Sequence, residues 1–479
     1  MTEEPISVCI VTFGCQMNKL DSELLHSELV RNGFSITDDP GRADVVLYNT
    51  CSVRGHAEDR VFSQLGSYRR RAKGDGRFVL GVIGCVAQRL GEDLIRRFNY
   101  VDLVCGTQAF LRVPEHLRSI LAGGGPVVDV TDGNSSYGGP SCHRMPGVRE
   151  SRHQAYVAVM RGCDNFCSYC IVPYVRGREA SRRPRDIVEE VTALAADGVR
   201  EVTLLGQNVN SYGRGLDGES ASFAGLLALL NDVHGIERIR FITNHPRDMS
   251  DSILDAVARL DKVCEHLHVP AQSGSDAVLA RMNRGYTAAQ YRAIVARARE
   301  LIPDVELSSD FMVGFPGETD ADFEDTLELL RGVRFQQSFV FKYSPRPGTK
   351  AARWPDDIPD EVKRERNQIL LAAQQEVDRA RRAALVGQEV EVLVNGRNKG
   401  APAGLAAGCV APGGAASVGR GAVGLVGRTR QNDIVVFEGP EQLLGRLCRV
   451  RLTHSTALTL FGRLAEAGAP LGHGQRNRS

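Results

Sequence analysis

The sequence predicts a protein of the α/β class, built as an open parallel sheet, a full or partial β/α barrel and a small all-β domain. Three observations predict this. From about residue 6 to residue 377, short apolar runs bounded by turn formers alternate with stretches of helical period. The turn formers Asp132-Gly133-Asn134-Ser135-Ser136-Tyr137-Gly138-Gly139-Pro140 cut that alternation in two. After one long helical stretch, only short strands follow. At about 100–200 residues per domain, 479 residues suggest roughly two to four domains.

In the first part, Ser7–Phe13, Val45–Tyr48, Phe78–Ile83 and Val101–Val104 read as buried parallel strands. Ser22–Asn32, Ala57–Arg71 and Gly91–Phe98 between them read as helices, covering both faces of the sheet. In the second part, strands are expected at Tyr156–Met160, Glu201–Leu205, Arg238–Thr243, His266–Val269, Glu306–Phe311 and Ser338–Tyr343. Helices are expected at Arg185–Asp197, Ser222–Val233, Ala288–Leu301 and Asp320–Arg331. Such βα repeats suggest a barrel whose chemistry sits at the carboxyl ends of its strands. Asp360–Leu385 repeats its apolar residues at helical spacing, and Glu389–Val394, Ala422–Arg428, Asp433–Phe437 and Arg446–Thr453 read as strands. The boundaries fall at 6–130, a linker 131–151, 152–383, 384–465 and a disordered tail 466–479. Gly400–Gly421 is a Gly/Ala-rich stretch expected to be a mobile loop.

Composition narrows the function classes. Fifty-nine Lys and Arg against 58 Asp and Glu exclude a wholly basic nucleic-acid coat and a wholly acidic tail, though not a local basic patch. Glu3 and Glu4 precede the first apolar run, so no signal peptide is expected, and no run of about 18 apolar residues predicts a membrane span. Twelve Cys in such a chain argue for metal ligation or redox work in a reducing, cytoplasmic setting rather than a disulfide framework.

The sharpest local signal is Gly162-Cys163-Asp164-Asn165-Phe166-Cys167-Ser168-Tyr169-Cys170, spaced C-x3-C-x2-C directly after the first strand of the second part. Three thiolates on one loop can hold three irons of a four-iron cluster and leave the fourth open to a small molecule. Structural zinc would want a fourth ligand, and the nearest Cys, Cys142, lies across the linker. A second signal is distributed. Cys15, Cys51 and Cys85 each sit just past a strand and before a helix, 36 and 34 residues apart. A parallel sheet brings all three to one edge, where helix N-termini favour thiolate. They are read as a second cluster site, against the alternative of three buried structural Cys. Cys105 and Cys9 are read as structural, and Cys142, Cys264, Cys409 and Cys448 belong to no constellation. Gly213-Arg214-Gly215-Leu216-Asp217-Gly218 matches a dinucleotide fingerprint but lacks the tight turn after a strand, so it is set aside. His266 and His268 read as inward barrel polar groups and Trp354 as packing.

The C-x3-C-x2-C loop resembles that of the radical S-adenosylmethionine (SAM) superfamily. Thr12-Phe13-Gly14-Cys15-Gln16-Met17-Asn18, Asn49-Thr50-Cys51-Ser52-Val53-Arg54, Cys170-Ile171-Val172-Pro173-Tyr174-Val175-Arg176-Gly177 and Ser309-Asp310-Phe311-Met312-Val313-Gly314-Phe315-Pro316-Gly317-Glu318-Thr319 resemble motifs of the MiaB-type tRNA methylthiotransferases within it. Gly427-Arg428-Thr429 with Val435-Val436-Phe437 is similar to the terminal TRAM domain, a small tRNA-binding β-barrel. The resemblance covers about residues 6–455 in the family's order and departs from it in the Gly/Ala-rich insert.

The resemblance implies two 4Fe–4S clusters, one on Cys163, Cys167 and Cys170 that binds SAM, and an auxiliary one on Cys15, Cys51 and Cys85. It implies methylthiolation at carbon 2 of isopentenylated adenosine 37 beside a tRNA anticodon. The first cluster would cleave SAM to a radical, the second would carry sulfur, and another SAM would supply the methyl group. Gln16-Met17-Asn18 and Ser52-Val53-Arg54 favour this substrate over threonylcarbamoyl-adenosine or a ribosomal-protein aspartate; a noncatalytic iron–sulfur RNA-binding protein is a further alternative. Gly206, Gln207, Ser309, Asp310 and Gly314, at barrel strand ends, are candidate SAM contacts. The expected tRNA footprint is basic, with Arg176, Arg178, Arg182, Arg428 and Arg430 as its candidates; they fall in Arg-rich runs whose alternative is a solvated charged face. An external electron donor, a sulfur or cluster supply system and a monomeric state complete the expectation.

Overall fold

A computed structural model describes residues 5–52, 55–74, 78–131, 144–145, 147–216, 221–398 and 422–465. Most of the expected linker, the Gly/Ala-rich stretch, the tail, Cys142 and Cys409 lie outside these residues.

The first sheet holds six parallel strands, β1 (Ser7–Thr12), β2 (Ser35–Ile36), β3 (Val45–Thr50), β4 (Val79–Gly84), β5 (Leu103–Cys105) and β6 (Val127–Asp129), in the order β2-β1-β3-β4-β5-β6. Every residue of β3 and β4 is buried, because helices cover both faces. Val45, Leu47, Val79 and Ile83 pack with Leu20, Leu24 and Leu25 on one face. Val46, Tyr48, Leu80 and Val82 pack with Val61 and Leu65 on the other. The edge strands β2 and β6 were not expected; two or three residues are too few for a periodic signal.

The central part has the expected six barrel strands: β7 (Gln154–Ala158), β10 (Glu201–Leu205), β11 (Arg238–Phe241), β12 (His266–His268), β13 (Glu306–Val313) and β14 (Gln337–Lys342). They form two parallel three-stranded sheets, β11-β10-β7 and β12-β13-β14, linked by a bridge between Ile239 and Val263. The barrel is therefore partial. A short antiparallel pair, β8 (Met160–Arg161) and β9 (Ala180–Ser181), closes the base of the loop between them. The helix Asp360–Leu385 leads to a closed barrel in the order β15-β16-β17-β19-β18, made of β15 (Glu389–Arg397), β16 (Ala422–Arg428), β17 (Ile434–Pro440), β18 (Leu447–Ser455) and β19 (Leu460–Leu464). The fifth strand, β19, was missed because its residues are mostly half-buried or exposed and carry no clean alternation. Among the described residues no helix is long and apolar enough to cross a membrane.

The terminal barrel docks on the amino ends of the central strands, opposite the cysteines. Arg238, the first residue of β11, donates to Arg428 O at 2.6 Å and to Glu391 Oε1 at 2.9 Å. Arg240 donates to Glu201 Oε2 at 2.9 Å, Thr429 O at 2.6 Å and Arg430 O at 2.7 Å. Arg381 bridges Glu306 at 2.5 Å and Asp433 at 2.6 Å. Glu201 is fully buried, yet Arg240 and Arg238 hold its carboxyl below the usual range against the opposing effect of burial. Arg240→Met removes that partner and strands two carbonyls. It should cost about 3–5 kcal/mol in thermal unfolding and raise hydrogen exchange at residues 429–433. A loss below about 1 kcal/mol, the range of an exposed pair, would show that this seam does not hold the domains together.

Candidate metal and cofactor centre

The first triad is made by neighbouring strand ends. The register pairs Thr12 with Asn49, Asn49 with Ile83 and Thr50 with Gly84, so the chain leaves β1, β3 and β4 side by side. Cys15 caps the helix Gln16–Arg31, Cys51 directly follows β3, and Cys85 opens the helix Cys85–Leu90. Glycine is required at two of these exits. A Cβ on Gly14 (φ +145°) would sit 2.5 Å from the Cys51 Cβ, and one on Gly84 (φ +91°) 2.6 Å from Asn49 Oδ1.

Asn18 and Asn49, both buried, lock the exits together. Asn18 Nδ2 donates to Asn49 Oδ1 at 2.9 Å and to Thr50 O at 3.0 Å, and Asn49 Nδ2 donates to Asn18 O at 2.9 Å. The Cys15 thiol donates to Asn18 Oδ1 at 3.1 Å. The sequence carried these two asparagines only as motif letters. Two polar amides beside turn glycines were the available signal, but their mutual contact needs the fold. Hydrogen bonding to Cys51, helped by Arg176 and the amides of Asn18 and Met17, brings the Cys15 thiol down to about 6 despite burial. Burial raises Cys85 instead, so its helix start does not make it acidic. Cys9, Cys105, Cys264 and Cys448 are buried, and burial raises the thiol of each.

The second triad sits on a loop closed at its base. Cys163 N donates to Gly177 O at 3.2 Å, and a Cβ on Gly162 (φ +74°) would lie 2.0 Å from Arg178 O. Ser168 anchors the loop to the rest of the barrel, its amide donating to Met282 O at 2.9 Å and its hydroxyl to Arg281 O at 2.8 Å. Burial pushes the Cys163 thiol up to about 11 and Cys170 up to about 12, with Cys167 adding to each. A bound metal offsets such a penalty by holding the thiolate. Arg284, fully enclosed, donates Nη1 to Cys167 Sγ at 3.4 Å and Nη2 to Pro270 O at 3.0 Å. No three His, Cys, Asp or Glu among the described residues close on one point as ligands of a single zinc ion would. A cluster asks for a looser set, one thiolate on each of three irons, and each triad has that donor chemistry. The triads share a wall: Cys85 packs against Ile171 and Val175, just past Cys170.

The five candidate SAM contacts separate. Gln207 Oε1 accepts the Gly162 amide at 2.6 Å and so holds the cysteine loop. Gly206 lets the chain pass Met160, whose Cγ a Cβ would approach to 2.5 Å. Gly314 (φ +69°) makes room for Lys363 and donates its amide to Glu318 Oε1 at 3.0 Å. Ser309 shares the outward face of β13 with Leu307 and Phe311, is fully buried and accepts the Ala271 amide at 2.9 Å. Asp310, one residue on, faces the barrel interior, 27% exposed and 3.5 Å from His268 Nε2. His268 also bonds Ser308 Oγ at 2.9 Å and His266 is buried, while Trp354 packs on Phe315.

Four of the five candidate tRNA arginines are paired within the protein and buried or half-buried. Arg176 and Arg182 are buried, paired with Asp21 at 2.8 Å and Glu190 at 2.6 Å. Arg428 bonds Asn432 Oδ1 at 3.0 Å within its own hairpin, and Arg430 pairs with Glu265 at 2.7 Å across the domain seam; both are half-buried. Arg178 is 75% exposed beside the cysteine loop and pairs with Asp164 at 3.0 Å.

The chain is similar to known proteins in sequence and fold. The Radical SAM superfamily matches residues 157–330, and the Uncharacterized protein family UPF0004 matches residues 7–106. A tRNA-2-methylthio-N(6)-dimethylallyladenosine synthase of Thermoanaerobacter pseudethanolicus is 43% identical over 95% of this chain and 92% of its own. One of the same name from Moorella thermoacetica is 44% identical over 95% and 98%. Among solved structures, the radical S-adenosylmethionine methyltransferase TsrM from Kitasatospora setae is similar in fold, with a TM-score of 0.53 at 16% identity, over 73% of this chain and 74% of that one.

Two substitution sets test the site. Gly162→Ala should lower the iron bound by the reconstituted chain by about half, because the closed loop cannot form. Unchanged iron would show that the Gly162–Gly177 closure is dispensable. Ser309→Ala should cost about 1 kcal/mol of stability and leave SAM affinity unaltered, whereas Asp310→Ala should weaken SAM binding several-fold in calorimetry. The reverse pattern would invert the assigned faces of β13.

Proposed function

The chain belongs to the tRNA-2-methylthio-N(6)-dimethylallyladenosine synthases of the radical SAM superfamily, and from that premise we propose how its two triads divide the work. The reaction replaces the hydrogen at carbon 2 of N(6)-dimethylallyladenosine 37 in tRNA by a methylthio group. Cys163, Cys167 and Cys170 hold the 4Fe–4S cluster that binds SAM; Cys15, Cys51 and Cys85 hold a second. When bound, these groups supply the electron for reductive SAM cleavage and a site for the transferred sulfur. The protein supplies position and dryness. Asn18 and Asn49 orient the first triad, Gln207 and Ser168 fix the loop of the second, and Asp310 faces the lumen where SAM and the base meet.

The observation that carries this reading is the shared wall. Cys85 lies against Ile171 and Val175, so sulfur held at one triad is close to a radical made at the other. An external electron donor, a sulfur or cluster supply system, a monomeric chain and a cytoplasmic setting belong to the same proposal.

The revised tRNA footprint is Arg178 with Arg183 and Arg185, whose side chains are 73% and 86% exposed just past the cysteine loop. Replacing all three by Gln should weaken tRNA binding and flatten its salt dependence by about one unit of slope for each lost phosphate contact. An unchanged slope would move the footprint elsewhere. For the reaction itself, tRNA nucleosides from a deletion strain should carry dimethylallyladenosine without the methylthio group. The wild-type gene should restore it and Cys163→Ala should not. If the methylthio group persisted in the deletion strain, the assigned reaction would fall.

A further inference from the structure

Arg176 is buried, only 5% exposed, at the end of the short helix Val172–Arg176, six residues after Cys170. Its neighbours come from the other domain. Nη2 donates to Asp21 Oδ2 at 2.8 Å, and Asp21 is a buried residue of the helix that Cys15 caps. Val175, one residue before Arg176, packs against Cys85, and the guanidinium donates toward the Cys85 sulfur, with Cys15 within electrostatic reach. Thr107 Oγ1 fixes the preceding residue by donating to Val175 O at 2.6 Å. Meanwhile the other end of the same loop is tied down through Cys163 N and Gly177 O. One closed loop therefore presents three cysteines to one site and a guanidinium to the other.

Burying a cation is costly, and a single carboxylate repays that cost only when the remaining donors are also satisfied. If the triad stayed neutral, the Arg176–Asp21 pair would be a plain domain contact. A bound cluster would hold the three sulfurs as thiolates, and the guanidinium, on Asp21 and one residue from the Val175 that packs on Cys85, lies where it offsets their charge. We propose that Arg176 is a positioning residue for the auxiliary cluster: it sets a fixed positive charge against the Cys15, Cys51 and Cys85 triad and ties that triad to the loop bearing Cys163, Cys167 and Cys170. The proposal rests on the two-cluster reading above. A positive charge and a hydrogen bond to a ligand sulfur both favour the reduced, more negative cluster.

The test uses the full chain carrying Cys163→Ala, Cys167→Ala and Cys170→Ala, reconstituted with iron and sulfide so that only the auxiliary site can fill. Iron content and a potentiometric titration followed by electron paramagnetic resonance are the readouts. Arg176→Gln should shift the midpoint potential to more negative values, and Arg176→Lys should recover most of the shift. Asp21→Asn, which keeps the guanidinium and removes a negative neighbour, should shift it the opposite way. It keeps the proposal testable if the Gln variant fails to fold. Equal potentials in all variants, or a shift of the same sign for Asp21→Asn and Arg176→Gln, would overturn the role of Arg176. If the parent chain holds no cluster at all, it is the two-cluster reading that fails instead.

Discussion

The contact on which the rest of the molecule depends is the one between the carboxyl ends of two separate parallel sheets. Each sheet delivers cysteines to its own edge, and in the proposed reaction the two edges act together. The short helix Val172–Arg176 brings them together. Its apolar residues Ile171 and Val175 cover Cys85, and Arg176 reaches the helix capped by Cys15. The connection is short because the helix continues directly from Cys170. Because it is buried, the ion pair to Asp21 is screened little by solvent and does not exchange freely with it.

A second constraint is charge. The chain is nearly neutral and rich in arginine, and several of its arginines close contacts between domains. Arg144 joins Glu23 of the first domain to Glu190 of the second at 2.8 Å each. Arg240 holds Thr429 O and Arg430 O of the terminal barrel, and Arg381 pairs with its Asp433. Each guanidinium offers several donors in a rigid fork, so one side chain can satisfy a carboxylate and backbone carbonyls together. Lysine offers three donors from one nitrogen, without the planar fork that spans separate partners. An arginine in this sequence can therefore mark an interface as well as a surface.

This explains why some of the reading from sequence held and some did not. Strand alternation, helix spacing and the long helix Asp360–Leu385 are local, and the structure reproduces them closely, with Glu201–Leu205, Ala288–Leu301 and Ala422–Arg428 at the expected limits. The short strands β2 and β6 depend on pairing with neighbours and had no local signature. Ser309 and Asp310 are adjacent in sequence, but a strand's two-residue period sends one into the helix-packed core and the other into the lumen. Likewise nothing local distinguishes the buried Arg176 from the exposed Arg178.

The sequence by itself determined the presence of two sets of three cysteines, their place at strand ends, and the resemblance that names the family. Spacing and periodicity are properties of the chain, so they can be read along it. Only the tertiary structure decided which side of each strand faces the lumen and which arginines are enclosed. It also decided that Cys85 and the helix after Cys170 form one wall. Burial and pairing are properties of two segments at once, and they exist only after distant stretches of chain have met.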